Sequence, residues 1–159
     1  MKKLLACFAV ATSLLAHAQT AAPPAYGMPI TIEQAKKAMV AAEAEAAKNN
    51  WPVAIFIVDS GSNLVMMQRL NNTQLGSIEI ARGKAVTANN LRRPTKALED
   101  AVAAGGAGLR LLSVRDVNVL EGGVPIMHDG KIIGAIGVSG VTSAQDAQIA
   151  RAGAEAAIK

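Results

Sequence analysis

The pair Asp129-Gly130 lies between two apolar runs, VPIMH (124–128) and KIIGAIGVS (131–139), and limits what this chain can fold into more than any other feature. Asp-Gly suits the left-handed backbone that a two-residue hairpin requires, so the runs read as paired antiparallel strands. That turn sets the expected register: His128 opposite Lys131, Met127 opposite Ile132, Ile126 opposite Ile133, Pro125 opposite Gly134. Side chains alternate along a strand, so one face should carry Val124, Ile126, His128, Ile133, Ala135 and Gly137. The other face should carry Met127, Ile132, Gly134, Ile136 and Val138. Both faces are mostly apolar, and the sheet must be covered on each side by helices or by another subunit. Gly134 and Gly137, one in each face, invite a close approach to the backbone, by a packed helix or by a flat ligand.

The remaining pattern supplies the cover. Thr31 and Gln34 have the form of a capping box ahead of an alanine-rich helix from Ile32 to Lys48, which Asn49-Asn50 stops. VAIFIVD (53–59) reads as a strand buried on both faces, SGSN turns it, and LVMMQR (64–69) returns as its antiparallel partner. Asp59 is placed to accept hydrogen bonds from the turn amides. SIEIARGKAVTANNL (77–91) is helical and ends before Pro94, with Arg92 and Arg93 in its last turn. PTKALEDAVAA begins a second short helix, and GGAG (105–108) stops it as a flexible loop; no lysine and hydroxyl follow at phosphate-loop spacing. In the last segment, TSAQDAQIARAGAEAAIK, Ser143 with Asp146 resembles a capping box, and Ala147, Ala150 and Ala154 permit close contact near Gly134 or Gly137. Helix, hairpin, two helices, hairpin, helix predicts one α+β domain, a central antiparallel sheet flanked by helices.

The N-terminus reads as an address. Lys2 and Lys3 precede the apolar run LLACFAVATSLLA, and Ala16-His17-Ala18 offers small residues where a signal peptidase reads, so cleavage is expected after Ala18. The compartment is then the periplasm or the cell exterior. Residues 19–29, QTAAPPAYGMP, are expected to be a flexible leader. Removing residues 1–18 from the 159 leaves 141, lowers the formal charge from +4 to +2, and takes away Cys7 and His17. Disulfides and thiolate metal sites are excluded from the mature chain. A small, dispersed positive charge and few aromatics argue against nucleic acid, and no second transmembrane stretch follows.

Four linked stretches, VDSGSNLVMMQR, IARGKAVTANNLRRPT, GGVPIMHDGKIIGAIGVSG and QDAQIARAG, resemble the GlcG/HbpS-like family of small heme-binding proteins in order and spacing, over residues 30–159. The resemblance implies a profilin-like α/β/α sandwich, assembly into homo-oligomers and binding of a tetrapyrrole such as heme, with a corrinoid as the alternative. In exported members it also implies cooperation with a membrane sensor. One departure is visible: where the pattern usually continues Arg-Met-Asp-Gly, this chain reads Arg69-Leu70-Asn71-Asn72. The carboxylate is missing, which puts any role resting on it in doubt.

The residues fit a heme-type ligand better than a bare metal ion. Zinc or copper sites need several histidine or cysteine ligands, and one histidine remains. A porphyrin brings four nitrogens of its own, so the protein need add only an axial donor, an apolar slot and cations for the carboxylates. His128 is the obvious donor, against a plain reading as a solvated turn residue paired with Asp129. Met66, Met67 and Met127 serve either as weak ligands or as adaptable core. Thr87 with Lys84, and Thr95 after Arg92 and Arg93, either line a pocket with hydroxyls and cations or simply solvate helix ends. Few aromatics argue against a deep single-chain pocket and for a slot shared between subunits. Enzyme signatures are poor, because GVSG departs from the nucleophile elbow and no paired carboxylates stand out. Three readings remain: an exported tetrapyrrole-binding protein, a non-catalytic module docking on a sensor or enzyme, and a small-metabolite enzyme of hydroxy-acid or corrinoid metabolism handling carboxylates through Arg92, Arg93 or Lys84.

Overall fold

The computed structural model describes residues 22–159, so the expected cleavage point after Ala18 lies outside the described residues. Helix α1 (Ile32–Lys48) starts from the expected capping box, in which the Gln34 amide N–H donates to Thr31 Oγ1 at 3.2 Å and the Thr31 N–H donates to Gln34 Oε1 at 2.9 Å. Strands β1 (Ala54–Asp59) and β2 (Leu64–Arg69) form the first hairpin. Asp59 Oδ1 accepts from the amides of Gly61 (2.8 Å) and Asn63 (2.9 Å), as its place in the turn suggested. Helices α2 (Ser77–Asn90) and α3 (Lys96–Ala103) follow. The glycine-rich segment does not form the flexible loop expected of it; it continues as a 3-10 helix, Gly106–Ser113. Strands β3 (Gly123–His128) and β4 (Lys131–Ser139) and helix α4 (Ser143–Ala156) complete the domain.

The four strands run in the order β2-β1-β4-β3, all neighbours antiparallel, which makes β1 and β4 the central pair. Their side chains are buried on both faces because each face has a helical layer. On one side Ile55, Ile57, Ile126, Ile136 and Val138 pack against α1 and α4. On the other, Ala54, Phe56, Val58 and Ala135 meet Ala81, Ala85 and Ala88 of α2. This is the α/β/α sandwich that the alternation required.

Asp129 (φ 50°) and Gly130 (φ 72°) both take the left-handed backbone of the tight turn, and His128 pairs with Lys131 and Met127 with Ile132 as expected. Beyond Met127 the expected register fails. Ile126 lies opposite Gly134 and Pro125 opposite Ala135, so Ile133 is the extra residue of a bulge. Val124 and Ile126 consequently share a face with Gly134 and Ile136, not with Ala135 and Gly137, while Ile133, the bulge residue, still packs in the same core cluster as Ile126.

Two further expectations are corrected. The cap of α4 is Thr142 with Gln145, one residue before the expected pair, and this frees Asp146 for the interior. The segment expected to be a flexible leader is docked from Ala25 onward. Ile132 N–H donates to Ala25 O (2.9 Å), Gly27 N–H to Ile132 O (2.8 Å) and Ile30 N–H to Ile133 O (2.8 Å), so this stretch bridges in parallel to the part of β4 that lies past the end of β1.

Candidate functional site

The two sheet glycines do not open a slot in the single chain. A Cβ on Gly137 would run into Ala81 O and Ala85 N of α2, and one on Gly134 would run into Val58 O with Ile30 Cγ2 at 3.3 Å. Gly137 is a spacer for a packed helix, the first of the two uses the sequence allowed, though that helix is α2 and not α4; Gly134 gives way to strand β1 and Ile30 and meets no helix.

The six residues singled out from the sequence fall into three places. Lys84 is buried (1% exposed) beneath the start of β3. Its ammonium donates to Asp146 Oδ2 at 2.8 Å and Val138 O at 2.9 Å, reaching from α2 to α4 on the opposite face, past Gly122 and Gly123, where no side chain bars the way. Asp146 also accepts from the Val141 amide through Oδ1 at 3.2 Å. Burial pushes the Asp146 carboxyl above its ordinary range, and Lys84 opposes that rise without cancelling it. Thr87 and Thr95 are equally buried, and their hydroxyl oxygens accept backbone amides, Asn118 N–H at 2.8 Å and Gly123 N–H at 2.9 Å. Thr87 and Thr95 fasten the loop before β3 and its first residue to α2 and α3, and Lys84 ties α2 to β4 and α4. None of the three lines a cavity described among these residues.

Arg92 sits just past α2 with φ 54°. Its guanidinium lies 5.8 Å from the centre of the Tyr26 ring, and Nη1 donates to Pro24 O at 3.4 Å. The Tyr26 hydroxyl in turn donates to Asn89 O at 2.8 Å. Arg92 and Tyr26 thus tie the N-terminal segment to α2, an anchor that no sequence pattern pointed to.

His128 and Met127 lie on the edge strand β3, at the hairpin end. The His128 side chain is 50% exposed, its Nδ1 stands 3.9 Å from Asp129 Oδ2, and it makes no hydrogen bond among the described residues. It borders a cavity of about 200 Å³ whose walls are Gly27, Met28, Asp129, Lys131 and Ile133. A second cavity of about 220 Å³ lies between β3 and α4, lined by Met127 with Val124, Arg151, Ala154 and Ile158. The docked N-terminal segment builds one wall of the first cavity, which is why sequence reasoning, taking that segment as loose, missed Gly27 and Met28. Both cavities fall below the roughly 300–1,000 Å³ of sites that enclose a small molecule. A half-exposed imidazole with free nitrogens, an exposed thioether and an ammonium is a donor set suited to one axial bond and an acidic periphery. Among the described residues no three His, Cys, Asp or Glu side chains gather to hold a metal ion.

The comparisons with known proteins agree with the fold. The family described as "Haem degrading protein HbpS-like" matches residues 30–155. Protein GlcG of Escherichia coli K12 is 42% identical over 111 residues, 69% of this chain and 81% of that protein. Among solved structures, a PduOC:heme complex superposes with a TM-score of 0.74 at 30% identity, covering 81% of this chain and 95% of that one. A double mutant of Streptomyces reticuli HbpS gives 0.74 at 30% identity, covering 94% and 97%. By sequence and by fold, this chain belongs to the GlcG/HbpS-like family.

Proposed function

We propose that this chain is an exported, oligomeric heme-binding protein, with heme seated against the β3–β4 hairpin end and His128 as the axial donor. The observation that carries the reading is the half-exposed, unbonded imidazole of His128 beside Met28 and Lys131, in a chain whose fold matches that of a heme complex. A cavity of about 200 Å³ covers only part of a porphyrin, so the reading requires a second copy to close the slot. Exposed Leu109, Leu112 and Val114 on and just after the 3-10 helix supply apolar surface that assembly would cover. Lys131, beside His128, and Arg92, beside the same N-terminal segment, are cations for propionates. Bound heme would supply the iron centre; the chain's part is to hold it, orient it and limit the access of water.

Hemin titration of the purified protein tests this. A saturable Soret shift is expected, and His128→Ala should change the position of the band. Absence of a saturable shift overturns heme binding, and an unchanged spectrum in His128→Ala overturns the axial assignment. A corrinoid, titrated in parallel, should bind more weakly.

A further inference from the structure

The largest of the described cavities lies where the end of α1 meets the end of β2 and shares no lining residue with the hairpin cavity. It measures about 570 Å³ and is lined by Ala46, Ala47, Asn50, Trp51, Pro52, Leu70, Asn71 and Asn72. Its size falls inside the range of sites that take small molecules. No charged side chain lines it, in a chain with 28 charged residues of Lys, Arg, Asp and Glu (16 and 12).

Its polar groups are free. Among the described residues, the side-chain amides of Asn50, Asn71 and Asn72 and the indole N–H of Trp51 enter no hydrogen bond. Each amide offers two donors and an acceptor, so one cavity wall carries three neutral groups that can both give and take hydrogen bonds. Trp51 is half-buried and packs against the core, which fixes the ring while leaving part of it to the cavity. Asn50 (φ 55°) and Asn72 (φ 63°) hold left-handed backbone, which asparagine tolerates better than most side chains.

We infer that the Trp51 groove binds a neutral, hydroxyl-rich ligand of the mono- or disaccharide class. A pyranose presents a flat C–H face to an aromatic ring and a rim of hydroxyls that donate and accept, as the amides do. A charged ligand finds no counter-charge here and loses hydration on entering. The site is independent of the hairpin end and of the heme reading.

Trp51 is the only tryptophan of the chain, so its emission reports this groove alone. Purified full-length protein is titrated with glucose, maltose and N-acetylglucosamine across the millimolar range, and with gluconate and glucosamine as charged counterparts. A saturable change with at least one neutral sugar is expected, stronger than with the charged pair. Asn71→Ala, an exposed substitution, should weaken binding about tenfold, the loss of one hydrogen-bonding group, with far-UV circular dichroism and hemin binding unchanged. Trp51→Phe, followed by calorimetry, should bind more weakly as well. The inference is overturned by no saturable response to any of the three neutral sugars, by equal affinity in Asn71→Ala, or by tighter binding of a charged counterpart.

Discussion

Lys84 and Asp146 form the one fully buried ion pair among the described residues, and its energetics follow from what each partner does alone. Removing one partner of such a pair leaves a charge in the interior, at a cost of about 3–5 kcal/mol, whereas replacing both with apolar groups is often neutral. Lys84→Met is therefore expected to destabilise the fold by that amount near neutral pH, and Lys84→Met with Asp146→Leu to recover most of it. The pH dependence has a definite sign. The folded carboxyl of Asp146 is already raised above its ordinary value of 3.8, so its contribution is fully present below 3.8 and is lost as pH rises through the folded value. Without Lys84 the folded value climbs further. The deficit of Lys84→Met should thus shrink on acidification, as read from urea unfolding at several pH values, and a deficit independent of pH contradicts this account. The pair was invisible in the sequence because its partners are 62 residues apart, and Asp146 looked like a cap when Thr142 and Gln145 fill that pattern one position earlier.

At the scale of elements, what could be read in advance was whatever local stereochemistry decides. Asp129-Gly130 announced its turn because both residues need positive φ, and Thr31 with Gln34 announced α1 because the cap uses groups three residues apart. The bulge at Ile133 was not legible, since Ile132 and Ile133 are identical in chemistry and either register buries an isoleucine. The docking of residues 25–30 was hidden for a related reason: its bonds are backbone bonds to β4, and the only side-chain hint was one tyrosine. Of the six site residues chosen from the sequence, Lys84, Thr87 and Thr95 carried the right polarity for a pocket but are consumed by tertiary hydrogen bonds, which one sequence does not display. Close packing of elements makes its own test. Gly137→Ala should cost about 1–3 kcal/mol, because the added methyl meets the backbone of α2, while Gly76→Ala, with nothing within 4 Å, should lie within about 0.5 kcal/mol of the parent. Thermal unfolding of the two variants checks the contrast; equal stability would refute the packing account.

For the whole molecule, the arrangement of layers explains why a chain with 3% aromatic residues can still be well packed: alanines and glycines bring helices close to a central pair of strands rich in isoleucine and valine. The exposed apolar residues are then the remaining surface with a demand on it. If they are covered by self-association, gel filtration should give a mass above that of the monomer, and Leu112→Glu should lower it with little loss of fold stability. No helix among the described residues is long and apolar enough to cross a membrane. The export reading predicts a mature polypeptide beginning at Gln19, which intact mass measurement after expression with the native N-terminus decides.

The parallel bridge between Tyr26 and Ile132 also bears on how such measurements are made. Gly27 and Met28 of the docked segment border His128, so an N-terminal polyhistidine purification handle would tether competing nitrogen donors to the very segment that walls the site being assayed. A handle after Lys159 would sit near Met127, whose cavity Ile158 also lines, so a handle removed before titration is what keeps the spectrum a property of the protein itself.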